Sequence, residues 1–76
     1  MPPLPIISPD QCIAALRLFG YQIARQEGSH VRLVCTNRAP VTVPMHRGRD
    51  LKKGTLRAIL RTTEISVEEF LTALGR

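Results

Sequence analysis

Histidines and clustered basic residues are the side chains of this 76-residue chain that could do chemistry near neutral pH. His30 follows the segment Arg25–Ser29, and Arg32 comes two residues later. An imidazole with an unperturbed pKa near ~6.5 can accept a proton at cellular pH, and a neighbouring guanidinium can hold a phosphate. A lone histidine in such a position is more often an ordinary exposed strand residue than a catalyst. The pair therefore indicates acid–base chemistry on a phosphate only when further signals accompany it.

The net charge of +5 is concentrated between residues 47 and 61, where basic residues outnumber the single acid, Asp50. The charges in the rest of the chain cancel. A basic stretch beside a helix start at Gly54-Thr55 is typical of a surface that binds phosphates, and a solvated basic surface is the simpler alternative. The residues that we expect to contact a nucleic acid backbone are Arg47, Arg49, Lys52, Lys53, Thr55, Arg57 and Arg61.

The segment 21–35 alternates apolar and polar side chains, which predicts two half-buried strands joined near Gly28. A two-residue loop at Glu27-Gly28 would mix core-facing and solvent-facing positions. A three-residue loop that ends at Gly28 places the core-facing and the solvent-facing residues on separate faces of the hairpin. This loop needs a residue in the left-handed conformation at its last position, which glycine adopts readily. We therefore predict the longer loop, with Ile23 opposite Val31 and His30 on the solvent face beside the arginine two residues on.

Helix signals occur in three other segments. Residues 8–11, Ser-Pro-Asp-Gln, form a capping box with a proline at the first helical position, and Gly20 suits the end of that helix. Thr55 is the predicted N-cap of a second helix, which should end near residues 62–63. A second capping box, residues 66–69, starts a short third helix.

A third strand is predicted at Val41–Val43, after a turn over residues 36–40 and before Pro44. The order helix, three antiparallel strands, helix and short helix predicts a two-layer α+β fold with one open sheet face. We expect a single domain over residues 1–76, in which the proline-rich residues 1–6 form an extended arm.

Several classes of protein are disfavoured by what the sequence lacks. No apolar run reaches membrane-spanning length and the N-terminal residues do not resemble a secretion signal, so a cytoplasmic location is expected. Cys12 and Cys35 are expected to be small buried apolar residues, not a disulfide or zinc ligands. The acids are dispersed, which disfavours a two-metal nuclease, and no metal or cofactor is expected. A DNA-binding helix-turn-helix over residues 55–74 is disfavoured because its second helix is acidic.

Four motifs occur in a fixed order and together cover most of the chain: Gly20-Tyr21, Arg25–His30, Val43–His46 and Leu51–Leu60. This ordered set resembles the HicA toxins of bacterial and archaeal toxin–antitoxin pairs, over about residues 8–74. The resemblance implies a fold like that of a double-stranded-RNA-binding domain and a ribonuclease activity on mRNA. It also implies a cognate HicB-type antitoxin that binds and blocks the toxin in a hetero-oligomeric complex.

The resemblance implies that His30 is the catalytic residue, because it is the histidine of the Gly-Ser-His triplet. Arg25, Ser29 and Arg32 are candidates for catalytic support, and His46 is either a general acid, an RNA contact or a residue that caps its loop. Attack by the substrate's own 2′-hydroxyl predicts a 2′,3′-cyclic phosphate product and no cleavage of DNA. The alternative is a non-catalytic RNA-binding module of the same fold, which binds RNA without turnover.

Overall fold

The fold is a three-stranded sheet with helices before and after it in the chain. The computed structural model describes residues 3–46 and 48–75. The strands form one antiparallel sheet in the order β1-β2-β3, with β2 in the centre. This arrangement confirms the predicted α+β class and is consistent with a double-stranded-RNA-binding-domain-like fold. The elements are α1 (Pro9–Leu18), β1 (Gln22–Glu27), β2 (His30–Cys35), β3 (Arg38–Pro44), α2 (Lys53–Thr63) and α3 (Val67–Ala73).

Two helices begin at the predicted capping boxes. The Ser8 hydroxyl accepts a hydrogen bond from the Gln11 N–H at 3.1 Å, and Gln11 Oε1 accepts one from the Ser8 N–H at 2.9 Å. Ser66 and Glu69 exchange the same two bonds at the start of α3, at 3.0 and 3.1 Å. Beyond the end of α1, Gly20 has φ +99°, as its predicted helix-ending role requires. Local capping chemistry therefore determines these helix boundaries.

The prediction for the start of α2 is wrong, because the N-cap is Lys52 and not Thr55. Lys52 makes no side-chain capping bond, and its carbonyl accepts from the Leu56 N–H at 3.0 Å. The residue before it, Leu51, is buried and donates its N–H to the Ile7 carbonyl at 2.9 Å. Tertiary packing of Leu51 thus fixes the chain just before the helix. This packing overrides the local preference for Thr55, which has the better capping side chain.

The turn between β1 and β2 is also shorter than predicted. Glu27 and His30 are Cα partners, so the loop contains only Gly28 and Ser29. Gly28 has φ +55° and Ser29 does not have a positive φ. A positive φ at the first loop residue alone is the pattern of a type II′ turn, whose twist suits a two-residue hairpin. The glycine was correctly assigned to the turn, and the three-residue loop was wrong.

The displaced turn changes the register from the prediction, since Gln26 lies opposite Val31, and a bulge in β1 then shifts it once more. Ile23 lies opposite Leu33 and not opposite Val31, and the register shifts between Ile23 and Arg25. Ala24 therefore interrupts the strict two-residue alternation on which the prediction depended. All six residues of β1 are exposed, and Ile23 keeps 47% of its surface accessible. The helices consequently cover β2 and β3 but not β1.

The third strand is longer than predicted, since β3 begins at Arg38 rather than at Val41. Only Thr36 and Asn37 form the turn before it. Pro40 can lie within the strand because β3 is at the edge of the sheet, where a missing backbone donor leaves no ladder bond unmade.

The core lies between the helices and one face of β2 and β3. Val31 and Leu33 point into it, whereas His30 and Arg32 alternate to the exposed side. Tyr21 is also buried, and its hydroxyl donates to the Ala39 carbonyl at 2.7 Å. No helix in the described part of the chain is long and apolar enough to cross a membrane.

The two cysteines differ in environment, and neither forms a disulfide. Cys12 is fully buried, as predicted. Cys35 is only half-buried, which corrects the prediction, and its Sγ lies 3.3 Å from Asn37 Oδ1 and 3.6 Å from the Phe19 carbonyl. Residues 3–6 form neither helix nor strand, and Leu4 among them packs against the core.

Candidate nucleic-acid interface and catalytic site

Polar side chains line up in rows across the sheet face that the helices leave open. Directly opposite residues of antiparallel strands project from the same face, so the register defines each row. His30 and Arg32 are both exposed on this face, which confirms their predicted placement. One row contains Glu27, His30 and Pro44, and the neighbouring row contains Arg25, Arg32 and Thr42.

Contacts among the side chains of these two rows are few and exposed to solvent. Arg25 Nε lies 2.9 Å from Glu27 Oε1, but both side chains are about two-thirds or more exposed, at 71% and 68%, so the ion pair is weak. Arg32 Nη1 donates to Thr42 Oγ1 over a long 3.4 Å. Both guanidinium groups therefore keep donors available for an anion bound on this face.

The spacing of the rows matches the needs of phosphate chemistry. Residues two apart on a strand are separated by about 7 Å along it. A phosphate held between Arg25 and Arg32 would thus lie next to the imidazole of His30, and the carboxylate of Glu27 lies directly across from that imidazole on β1. The arrangement supplies a base, cations for a phosphate and a group that can stabilise an imidazolium.

The turn before His30 is tied to the chain that follows β3. The Met45 N–H donates to the Ser29 carbonyl, which extends the β2–β3 pairing by one bond beyond the last ladder pair. Ser29 is half-buried in this position. The bond brings His46, the next residue along, to the end of the sheet where the β1–β2 turn lies.

A cleft of about 740 Å3 opens at this end of the sheet. Its walls come from the start of α1, the β1–β2 turn and the loop between β3 and α2, and Ser29, His46 and Arg49 are among them. A second cleft of about 220 Å3 adjoins it, also with His46 and Arg49 in its walls, and continues to Lys52 and Thr55. His30 is not among the described residues that line either cleft. The candidate base therefore lies on the open face, and His46 lies at the neighbouring clefts.

The predicted RNA-binding residues divide into two groups. Arg49, Lys52 and Thr55 line the clefts, and Lys53 is exposed at the start of α2. Arg57 and Arg61 are exposed on α2, but this helix packs on the opposite side of the sheet from His30. The structure does not bring these two arginines to the open face. Arg47 lies outside the described residues.

Two features were not anticipated from the sequence, one in the site and one at the other end of the sheet. Sequence reasoning counted Glu27 only as a dispersed acid, although a two-residue loop at Gly28-Ser29 would have placed it directly opposite His30. It also missed Arg38, whose Nη1 donates to the Thr63 carbonyl at 2.8 Å and whose guanidinium lies 5.5 Å from the centroid of the Phe19 ring. No local pattern signals that contact, because its partners are far apart in the chain.

Metal-ligand side chains do not gather in the structure as described. Within residues 3–46 and 48–75, no three His, Cys, Asp or Glu side chains lie together in a way that could hold an ion. The cations that the geometry provides for a phosphate are arginines and lysines.

Comparison with known families gives a match over most of the chain. The model of the family described as HicA toxin of bacterial toxin–antitoxin matches residues 9–65, from the first residue of α1 to just past the end of α2. The matched segment includes the whole sheet, the β1–β2 turn and, apart from Ser8, the described residues that line both clefts. No curated protein matches the chain.

Proposed function

The chain belongs to the HicA toxin family of bacterial toxin–antitoxin systems, and from this membership we propose that it is a metal-independent mRNA interferase. The observation that supports the proposal most directly is the position of His30, exposed on the open face with Glu27 opposite and two arginines in the next row. An exposed imidazole beside paired guanidinium groups is suited to cleaving a phosphodiester by general base catalysis.

In the proposed reaction, His30 takes the proton of a ribose 2′-hydroxyl. The 2′-oxygen then attacks the adjacent phosphorus, and the bond from phosphorus to the 5′-oxygen of the next nucleotide breaks. Arg25 and Arg32 stabilise the negative charge that develops on the phosphoryl oxygens. The leaving oxygen must gain a proton, and His46 is the candidate acid because it lies at the end of the same sheet. The products are a 2′,3′-cyclic phosphate and a 5′-hydroxyl.

The remaining basic residues are proposed to hold the RNA backbone without reading its sequence. Arg49 and Lys52 line the clefts, and Lys53 and Thr55 continue the surface into α2. RNA that leaves the clefts along α2 would pass Arg57 and Arg61, which are four residues apart and both exposed. Contacts of this kind contribute affinity that falls with increasing salt.

A HicB-type antitoxin is the proposed partner. A protein that covers the basic surface, His30 or both would prevent RNA from reaching the site, and complementary negative charge would speed its association. Because its proposed substrate is mRNA, we expect the toxin to act in the cytoplasm.

The test is cleavage of a mixed-sequence single-stranded RNA by the purified protein in excess chelator, compared between the unmodified protein and His30→Ala. We expect His30→Ala to bind the RNA with unchanged affinity and to lose cleavage, and the unmodified protein to leave a 2′-deoxy version of the RNA intact. If both proteins bind and neither cuts, the non-catalytic RNA-binding module is the better assignment. Equal cleavage by both would show that His30 is not the catalyst, and steady cutting of the deoxy strand would exclude the 2′-hydroxyl mechanism.

A further inference from the structure

A short extended segment before α1, which we call the strap (residues 4–7), is held against the core at both of its ends. Leu4 is partly buried and packs against the core, and Ile7 keeps only 1% of its surface exposed. Ile6 between them is turned to solvent, with 66% of its surface exposed. Pro5 restricts the backbone here, so less conformational entropy is lost when the segment is fixed. The strap lies before the segment that the family model matches.

The strap is bonded to the β3–α2 loop, residues 45–51, of which the structure describes all but residue 47. The loop's first residue is bonded to the β1–β2 turn, and its last residue, Leu51, donates its N–H to the Ile7 carbonyl at 2.9 Å. Leu51 is also buried, with 8% of its surface exposed. Among the described residues, no other backbone hydrogen bond joins this loop to a distant segment. The strap therefore provides one of the loop's two attachments.

The β3–α2 loop carries side chains that are proposed to hold RNA. His46 and Arg49 are exposed, and Lys52 follows the loop as the N-cap of α2. The sequence adds Arg47, which lies outside the described residues. Because exposed side chains contribute little to fixing a loop, its position depends on how its ends are held. The bond from Leu51 is two residues from Arg49 and next to Lys52.

We propose that the strap positions the β3–α2 loop for contact with RNA phosphates, with Leu4 and Ile7 as its positioning residues. The proposal rests on the proposed ribonuclease function and adds to it a part of the chain that prepares the RNA surface. A loop that is fixed before RNA arrives loses less conformational entropy on binding than a mobile loop. The strap leads directly into α1, whose first residue, Pro9, lines the smaller cleft together with Arg49 and Lys52.

Three variants separate positioning of the loop from general stabilisation of the fold. Leu74, at the end of α3, is also a partly buried leucine that packs against the core, and it lines a groove between α1 and α3. Leu74→Ala is thus the matched control for Leu4→Ala, and urea denaturation measures the stability that each loses. Ile6→Ala removes an exposed side chain from the strap itself. Leu4→Met refills nearly the same volume and should restore the behaviour of the unmodified protein.

The first measurement needs no RNA. In the isotope-labelled protein, NMR follows the exchange of the Leu51 amide, which reports its bond to the strap, and of the Leu33 amide, which reports the central strand. We expect Leu4→Ala to speed exchange at Leu51 about tenfold, and the two alanine controls to change it by less than about twofold. Exchange at Leu33 should follow only the stability that each variant loses. Equal acceleration at Leu51 in the leucine control would overturn the proposal.

The second measurement is the affinity for a mixed-sequence RNA with 2′-O-methyl riboses, which lacks the attacking hydroxyl and stays intact. We expect Leu4→Ala to bind it about fivefold more weakly, because the loop must then be ordered on binding. The same comparison is made in a triple variant that combines Arg47→Ala, Arg49→Ala and Lys52→Ala. There Leu4→Ala should change the affinity by less than about twofold, because the cations through which the strap acts are absent. Low salt keeps binding of the weakened variants measurable.

The outcomes distinguish failure of the strap from failure of the proposed function. If Leu4→Ala binds the RNA as tightly as the unmodified protein, or loses the same factor in the triple variant, the strap is overturned and the ribonuclease assignment stands. RNA binding without cleavage by the unmodified protein removes the ribonuclease assignment and leaves the strap. If the unmodified protein binds no RNA, both proposals fail.

Discussion

Arg25 and Arg32 lie directly opposite each other on neighbouring strands, one row away from His30. Like charges in this position destabilise a strand pair, by up to about 1 kcal/mol. Glu27 offsets the repulsion only in part, because its ion pair with Arg25 is largely exposed to solvent. A phosphate bound between the two guanidinium groups would remove the repulsion and gain charge-assisted hydrogen bonds. The pair is therefore better suited to binding an anion than to holding the sheet together.

Replacing either arginine tests this assignment. We expect Arg25→Ala and Arg32→Ala each to lower the rate of RNA cleavage by about 100-fold, because each removes a donor to the charge that develops on the phosphate. The free energy of unfolding, measured with urea, should change by less than about 0.5 kcal/mol. Arg17→Ala, which removes an exposed arginine on α1, is the matched control. An equal loss of activity in the control would mean that only net charge matters.

The left-handed residue at the end of α2 offers a stabilising substitution. Glu64 is the C-cap of this helix and has φ +57°. This left-handed backbone conformation is strained for a residue that has a β-carbon. We expect Glu64→Gly to raise the free energy of unfolding by about 0.5–1 kcal/mol, because glycine adopts this conformation without strain. Urea denaturation measures the change, and RNA cleavage should be unaffected. Destabilisation would show that the glutamate side chain makes a compensating contact.

The helix ends that the sequence predicted correctly are those with local causes. Ser8 with Gln11, and Ser66 with Glu69, satisfy each other's backbone donors within one turn, so the signal and the structure it produces occupy the same four residues. The exposed position of His30 was also predictable, because β2 keeps strict alternation from end to end. In both cases neighbouring residues alone determine the outcome.

The parts that the sequence did not reveal depend on distant contacts. The bulge at Ala24 shifts the register of β1, and no turn or glycine signal marks it. The start of α2 depends on the bond from Leu51 to Ile7, more than forty positions away in the chain. The cleft brings together Asp10, Ser29 and Asp50 from three separate segments, which no spacing rule within one segment could anticipate. Tertiary packing decides each of these features.

Arg38 is expected to be important for stability and not for catalysis. Its guanidinium donates to the Thr63 carbonyl at the end of α2 and lies over the ring of Phe19, so it joins the ends of α1 and α2 to β3. We expect Arg38→Ala to lower the free energy of unfolding by about 2 kcal/mol, the usual range for a lost hydrogen bond from a charged group. Urea denaturation tests this, with Arg17→Ala as the control. A loss below about 0.5 kcal/mol would show that the contact is not stabilising.

The two cysteines should differ in reactivity. Burial raises the pKa of the Cys12 thiol to about 12, so almost none of it is the reactive thiolate near neutral pH. Cys35 is half-buried and accessible to a small reagent. Iodoacetamide should therefore add one group to the native protein, at Cys35, and two groups after unfolding, as mass spectrometry would show. Labelling of native Cys12 at the same rate as Cys35 would contradict the burial of Cys12.

The capping box of α3 should make stability depend on pH. Hydrogen bonds from the Ser66 backbone N–H, and then from the Ser66 hydroxyl, hold the pKa of Glu69 below its usual value. A carboxylate with a lowered pKa in the folded state stabilises the fold above its unfolded-state pKa, and this contribution is lost as the pH falls through the folded-state value. The unmodified protein should therefore melt at a higher temperature than Glu69→Gln near pH ~7. This difference between the two melting temperatures should decrease as the solution is acidified below about pH 4.5. Because glutamine can still accept the Ser66 N–H bond, the variant keeps the cap but not the charge, so the comparison isolates the ionised form. A difference that grows on acidification would mean that the carboxylate is less favourable in the folded state than in the unfolded chain.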